Sequence, residues 1–406
     1  MFNSKYIYLD NASSTPIDKK VIDLMSVCNK NFYSNPTSIH SSGVKVREII
    51  EESRSKIAKG INAHNDEIIF TGSSTESNAL AIIGLIRNIK LESKIPHIIT
   101  SQIEHPAVLE NCRLLEERGE AEVTYVSVDK NGILNLEELK ESLKENTVLV
   151  SIMYANNEIG TIQPIQEIAK IIRHFRKGKS ENKNDFVFPV FHTDATQAMN
   201  YLDTSNVEKL GVDMMSFNGS KIYGPKGIGV LYKKRSVELA SVYKGGDQES
   251  GLRSGTESVA TIAGLALAFD ITNKMKTKES KRLTTIRDYA IDKLLKIKVA
   301  PYKIVLNGDN KERLPNNINI SITGISSELL VIEFDAKGIE VSAKSACKSD
   351  DDTGSHVIKA IRKICKKNNE EEGSFRITLG RQTKNADMDT LVKVLTKILS
   401  NYSKWK

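Results

Sequence analysis

The sequence predicts an α/β fold with a largely parallel sheet, followed by a smaller α+β region, and three observations carry that expectation. Apolar runs of strand length alternate with helix-period segments up to about Thr256. Beyond Thr256 the pattern changes to longer helical stretches with only a few strands. The chain has 406 residues, 39% of them hydrophobic, which at about 150 residues per domain is room for two or three domains and a large buried core.

Taken in order, helical spacing predicts a helix over Val44–Ile61 and another through Ala81–Ile89, opened by the polar run Thr71–Asn78. β-Branched runs predict strands at Ile98–Thr100 and Val123–Val128, with a helix over Pro106–Arg118 between them. Further strands are expected at Val148–Tyr154, Phe186–Thr193, Asp213–Phe217 and Gly227–Tyr232, and in the later region at Asn317–Ile322 and Ile339–Ser342. The polar stretch Lys177–Asn184 reads as a surface loop. No internal repeat is present.

Composition narrows the function classes. The richest apolar run, Val259–Phe269, is shorter than the 18 or so residues of a membrane helix and carries Thr261 and Gly264, so no membrane association is expected. Residues Met1–Asp10 lack the apolar core and small-residue cleavage site of a secretory signal, and the protein is expected to be cytoplasmic. Lysine and arginine number 58 against 51 acidic residues, a net charge of +7 spread without a basic block, so direct nucleic-acid binding is not expected. The cysteines at 28, 112, 347 and 365 are too far apart for a Cys-x-x-Cys metal or redox site. Cys28, Cys112 and Cys365 fall at helical spacing with apolar residues and read as core thiols. Cys347 instead precedes the polar run Lys348–Gly354, where an exposed reactive thiol is reasonable.

Four segments carry chemistry. Between two expected strands lies Ser216-Phe217-Asn218-Gly219-Ser220-Lys221, and a lysine leaving a strand end among small residues can offer its amine to a carbonyl compound. A phosphate loop is excluded there, because Pro225 stands where its lysine must be. In His192-Thr193-Asp194-Ala195-Thr196-Gln197, Asp194 can cap a helix or set a carboxylate against a pyridine nitrogen, with Gln197 in reach of a ring hydroxyl. In Thr71–Asn78, Ser73 and Glu76 suit a capping box, while the Gly- and hydroxyl-rich helix start also suits phosphate, with Thr75 as the contact. Glu104-His105-Pro106 places an imidazole at a strand end, where it can stack on a ring or move protons near neutral pH.

These four segments, with Asn156–Gly160, Arg253–Thr256 and Ser345-Ala346-Cys347, resemble the cysteine desulfurases of the class V aminotransferase family, pyridoxal-phosphate enzymes, from about Tyr6 to about residue 400. The resemblance implies fold type I: a mixed, mostly parallel seven-stranded sheet between helices in a large domain over 16–264, and a small domain over 1–15 and 265–406 carrying the catalytic cysteine loop. It implies that Lys221 holds pyridoxal 5'-phosphate and abstracts the substrate Cα proton, that Asp194 pairs with the pyridine nitrogen and Gln197 with the ring oxygen, and that His105 stacks on the ring. Thr75 matches a phosphate contact, and Thr256 one made from the neighbouring subunit, so a homodimer is implied. Arg381, helped by Asn157 and Asn35, matches the group that binds the substrate carboxylate, and a bidentate guanidinium suits that task. Cys347 is the expected nucleophile: L-cysteine yields L-alanine and a Cys347 persulfide, which passes to a sulfur-acceptor protein. A thiol near 8.5 is only a few per cent thiolate at neutral pH, so Lys344, Lys348 or His105 is expected to activate it. The loop after Cys347 has the length of the family's long-loop branch.

Two positions depart from the family pattern. Ser220 stands where a histidine is usual and Asn218 where a serine is frequent, both at phosphate-contact positions, so weaker cofactor retention is expected. The run Ser342-Ala343-Lys344-Ser345, and an end at Lys406 without an extended tail, suggest a dedicated sulfur pathway such as tRNA thiolation or DNA phosphorothioate modification, beside iron–sulfur assembly. The alternatives are a selenocysteine lyase or other class V aminotransferase, which Cys347 discriminates, and a cofactor-poor scaffold partner.

Overall fold

The computed structural model describes residues 6–89, 94–178, 188–343, 354–362 and 372–404. Its largest sheet has seven strands, in the spatial order Ile68–Thr71, Gly229–Lys233, Met214–Asn218, Val190–Asp194, Thr147–Ser151, His97–Ser101 and Glu122–Val126. Gly229–Lys233 runs antiparallel to both neighbours, and every other pairing is parallel. Both faces are covered, as a parallel sheet requires. Ile98, Leu149, Val190 and Met214 pack on one side, and Ile99, Val150, Phe191 and Met215 on the other, so period-two alternation supplies a core to each face.

A second sheet of four antiparallel strands follows the order Ser342–Ala343, Glu372–Thr378, Asn317–Thr323, Ile304–Leu306. The N-terminal strand Ile7–Tyr8 pairs in parallel with Ile339–Glu340, tying the chain start to this later region. The helix Val259–Leu295 spans both regions, and the boundary expected at 264/265 falls inside it. Its Leu283, Ile286, Ala290 and Leu294 share one core with Ile318, Ile320 and Ile322 of the second sheet.

Several expected elements are trimmed for physical reasons. The strand expected over Val148–Tyr154 ends at Ser151, and the Met153 N–H, which would have extended the ladder, donates instead to the buried Glu104 carboxylate. The run Ile339–Ser342 divides into two short strands belonging to different sheets, separated at Val341. The strand expected from Phe186 is seen over Val190–Asp194, and most of the polar stretch 177–184 lies outside the described residues. Ser73 caps its helix by accepting from the Glu76 N–H at 3.2 Å, but the Glu76 carboxylate accepts from the Gly72 N–H at 2.6 Å, so the reciprocal half of the expected capping box is shifted by one residue.

Candidate active site

The parallel strands end on one side of the large sheet, and the loops leaving those ends carry Glu104-His105, Asn156–Glu158, Asp194–Gln197 and Asn218–Lys221. Carboxyl ends of parallel strands are where open α/β sheets bind ligands. The N-terminal segment from Asp10 to Ser14 closes over this crevice. Gln197 donates from Nε2 to the Ala12 carbonyl at 3.0 Å, and the Lys221 ammonium donates to the Ser13 carbonyl.

Asp194 is buried, and its carboxylate is aimed by two donors. Asn78 Nδ2 donates to Oδ2 at 2.8 Å and the Thr196 N–H to Oδ1 at 2.9 Å. Beneath it, His192 bridges Ser151 at 2.8 Å and Ser216 at 2.9 Å, bonding three adjacent strands. Burial lowers the His192 imidazole from its ordinary value to about 4, so it stays neutral there. The hydroxyl of Thr196 and the side-chain oxygen of Asn78 are buried without a partner among the described residues, leaving polar capacity on both sides of the carboxylate.

Lys221 is half-buried, and its amine is lowered from 10.5 to about 8, first by burial and then by the positive charge of Arg376, with Asp10 and Asp194 opposing. Arg376 explains that environment. Its guanidinium donates to Asp10 at 2.8 Å, to the Ser13 hydroxyl at 2.7 Å and to the Asn157 carbonyl at 2.8 Å, while its Nε is buried without a partner among the described residues.

Arg381, the arginine expected here, lies elsewhere. Its guanidinium pairs with Asp18 at 3.1 Å, reaches Thr272 at 3.2 Å, and stacks over the Tyr223 ring at 3.8 Å. The chain passes out of the strand Glu372–Thr378 at Thr378 and turns at Gly380, where a side chain would collide with Asn11, so residues five apart end on different surfaces. Sequence reasoning passed over Arg376 although it stands in the same hexapeptide. A buried charge between the core-facing Phe375 and Ile377 was the available signal.

The phosphate-contact candidates cluster at the start of the helix Ser74–Asn88. Thr75 is exposed in its first turn, Asn218 donates to the Ser74 hydroxyl at 2.8 Å, and the Ser220 hydroxyl donates to Asn218 Oδ1 at 3.1 Å. Gly229 allows this closeness, since a Cβ there would sit 2.5 Å from the Ser73 backbone. His105 caps the helix Pro106–Glu117, its Nδ1 accepting from the Ala107 N–H at 3.1 Å, and it is exposed in the loop that leaves the strand His97–Ser101. Its loop is pinned from below: the Glu104 carboxylate takes the Ser101 hydroxyl at 2.6 Å and the Met153 N–H at 2.9 Å. Asn156 Nδ2 also donates to the Ile103 carbonyl at 2.8 Å. Glu104, Asn78 and Ser13 thus contribute although the sequence alone assigns them no role.

Asn35 and Thr256 make no hydrogen bond with Lys221 or Asp194 among the described residues. Asn35 is exposed and accepts from its own turn, the Thr37 N–H at 2.9 Å, and Thr256 is exposed beyond the Arg253–Glu76 ion pair. Cys28 and Cys112 are buried thiols, and burial pushes Cys112 up to about 12. Cys347, Cys365, Lys344 and Lys348 lie outside the described residues. Among the described residues no cluster of three or more His, Cys, Asp or Glu side chains could hold a metal ion, and no helix is long and apolar enough to cross a membrane.

The model of the family described as aminotransferase class-V matches residues 7–391. The chain belongs to the class-V aminotransferase family. Within that family it groups with the cysteine desulfurases. A protein of Dictyoglomus turgidum named cysteine desulfurase IscS is 43% identical over 393 residues, which are 97% of this chain and 94% of that one. A solved NifS-like protein superposes with a TM-score of 0.86 at 32% identity, over 97% of this chain and 99% of its own. A structure described as SspA in complex with cysteine superposes with a TM-score of 0.74 at 32% identity, over 92% and 98% of the two chains.

Enzymes of this class-V group depend on pyridoxal phosphate, and the donor set seen here suits it. The crevice offers an amine of lowered basicity, a buried carboxylate with only neutral donors on it, unpartnered polar atoms beside that carboxylate, and a helix N-terminus edged by hydroxyl and amide groups.

Proposed function

We propose that this chain is a cysteine desulfurase that converts L-cysteine to L-alanine and carries the released sulfur as a persulfide on Cys347 to an acceptor protein. The observation that carries the reading is the convergence of Lys221, Asp194, Gln197 and Arg376 on one crevice, from three separate stretches of chain. Pyridoxal phosphate, when bound, supplies a ring that accepts the electron pair left at the substrate Cα.

The chain's own residues do the rest. Lys221 anchors the cofactor through its amine and then, once freed, takes the Cα proton; an amine near 8 has a useful neutral fraction at physiological pH. Asp194, held by Asn78 and Thr196, keeps a positive charge on the pyridine nitrogen, and Gln197 faces the ring oxygen. The start of the helix Ser74–Asn88, with Thr75, Ser74, Asn218 and Ser220, receives the phosphate. His105, its Nδ1 engaged by the Ala107 N–H, is assigned to stack on the ring.

Arg376 takes the substrate carboxylate in the role first expected of Arg381. Its Nε is uncommitted, and it lies close enough to Lys221 to depress that amine. Asn157, whose carbonyl holds Arg376, borders the same place. The Cys347 thiolate attacks the substrate sulfur, forming the persulfide S–S bond as the carbon–sulfur bond breaks, and proton return to carbon leaves L-alanine. Thr256, which is exposed, is assigned to the phosphate of a second copy, so the working enzyme is a homodimer. Release of alanine from L-cysteine by the purified protein, with one persulfide on Cys347 in the absence of an acceptor, tests this reading. Alanine-forming activity toward selenocysteine alone would favour a selenocysteine lyase instead.

A further inference from the structure

Tyr223 stands two residues beyond Lys221 with φ at +61°, a left-handed conformation that a bulky side chain rarely adopts. Glycine would take it without strain, so the ring or hydroxyl must have a use that offsets the strain. Both are engaged. The hydroxyl accepts the backbone N–H of Arg381 at 2.8 Å, and the Arg381 guanidinium lies 3.8 Å over the ring. The Tyr223 backbone is fastened too, its N–H donating to the Thr15 hydroxyl at 2.8 Å and its carbonyl accepting from the Asp18 N–H at 2.9 Å. Arg381 completes the fastening by pairing with Asp18 and reaching Thr272, whose hydroxyl donates to the Ile222 carbonyl at 3.1 Å.

Arg381 follows Arg376 by five residues on one continuous stretch, and Tyr223 follows Lys221 by two. The same contact therefore fixes both the turn that presents the amine and the stretch that presents the guanidinium. We infer that Tyr223 and Arg381 are positioning residues that set the separation between Lys221 and Arg376, and with it the placement of the substrate Cα relative to the base. The inference rests on the reading of Arg376 as the carboxylate site. It gives Arg381 a task on the far side of the lysine turn, and it explains a tyrosine where the backbone favours glycine.

The test uses the holoenzyme of wild type and of Arg381→Lys, Tyr223→Phe and Arg376→Lys. Arg381→Lys keeps the charge and loses the planar stack, whereas Tyr223→Phe keeps the ring and loses the hydroxyl. Each is expected to raise KM for L-cysteine roughly threefold or more, with a smaller change in kcat, as loss of one cation–π contact or hydrogen bond implies. Hydrogen exchange in the 219–224 segment should speed up in both variants, in holoenzyme and apoprotein, while the thermal midpoint stays close to that of wild type. Unchanged KM and unchanged exchange in both variants, or KM changes that merely follow a general loss of thermal stability, overturn the inference. If Arg376→Lys raises KM but the other two variants do not, the positioning role alone is wrong. If Arg376→Lys leaves KM unaltered, the carboxylate reading itself is wrong.

Discussion

Asn78 donates its side-chain amide to the buried carboxylate of Asp194 at 2.8 Å, joining the helix that begins at Ser74 to the end of the central strand Val190–Asp194. One bond thus links the proposed phosphate end of the crevice to its pyridine end. Asn78→Ala removes a donor from a charged acceptor, a loss of about 1.5–3 kcal/mol. It is expected to lower kcat/KM for alanine formation tenfold or more and to weaken cofactor binding, both measurable by alanine assay and by titrating apoprotein with pyridoxal phosphate. Wild-type values for both would show that Asp194 needs no such support.

The lowered basicity of Lys221 sets a pH dependence. Only the neutral amine attacks a carbonyl, so uptake of pyridoxal phosphate by the apoprotein should quicken with rising pH and level off above about 8, whereas an ordinary lysine would go on quickening toward 10.5. The positive charge of Arg376 is one cause of the shift, so Arg376→Gln should move the half-point upward. Stopped-flow absorbance across pH measures both curves, and identical half-points would separate the two residues electrostatically.

At the phosphate end, Ser220 and Asn218 hold each other and Ser74 by neutral hydrogen bonds. Ser220→His adds a group that can carry positive charge beside a dianion, and charge-assisted bonds are roughly twice as strong as neutral ones. The variant should lose its cofactor several-fold more slowly during dialysis. Equal loss from both proteins would show that the serine and amide already suffice.

Much of this site was legible because strand ends are. Runs expected to stop at Thr100, Tyr154 and Thr193 stop at Ser101, Ser151 and Asp194, close enough to put the following polar residues at one edge of a parallel sheet, and helical spacing correctly buried Cys28 and Cys112. The distinction between Arg376 and Arg381 was not legible. It depends on where the chain leaves its strand and turns at Gly380 against Asn11, a long-range contact with no local signature. The strained Tyr223 was hidden for a related reason: local preference asks for glycine, and only packing against Arg381 accounts for an aromatic residue. Arg376, by contrast, could have been suspected from a charge set between the buried Phe375 and Ile377.

The buried thiols give a contrast with the proposed nucleophile. Cys112, pushed up to about 12 by burial, and Cys28, also raised by burial, lack the thiolate character and access that sulfur transfer requires. Cys28→Ala and Cys112→Ala should therefore retain alanine formation within about twofold when folded, at a stability cost on the order of 1 kcal/mol for each buried sulfur lost. Thermal unfolding and the alanine assay on the same preparations separate the two effects.

Cys347→Ala, compared with wild type for alanine release from L-cysteine and for cofactor absorbance, is the most direct measurement. The variant should keep its bound cofactor and its absorbance while alanine release and persulfide formation fall at least a hundredfold. Alanine release at the wild-type rate from a cofactor-loaded Cys347→Ala protein would contradict sulfur transfer through that thiol.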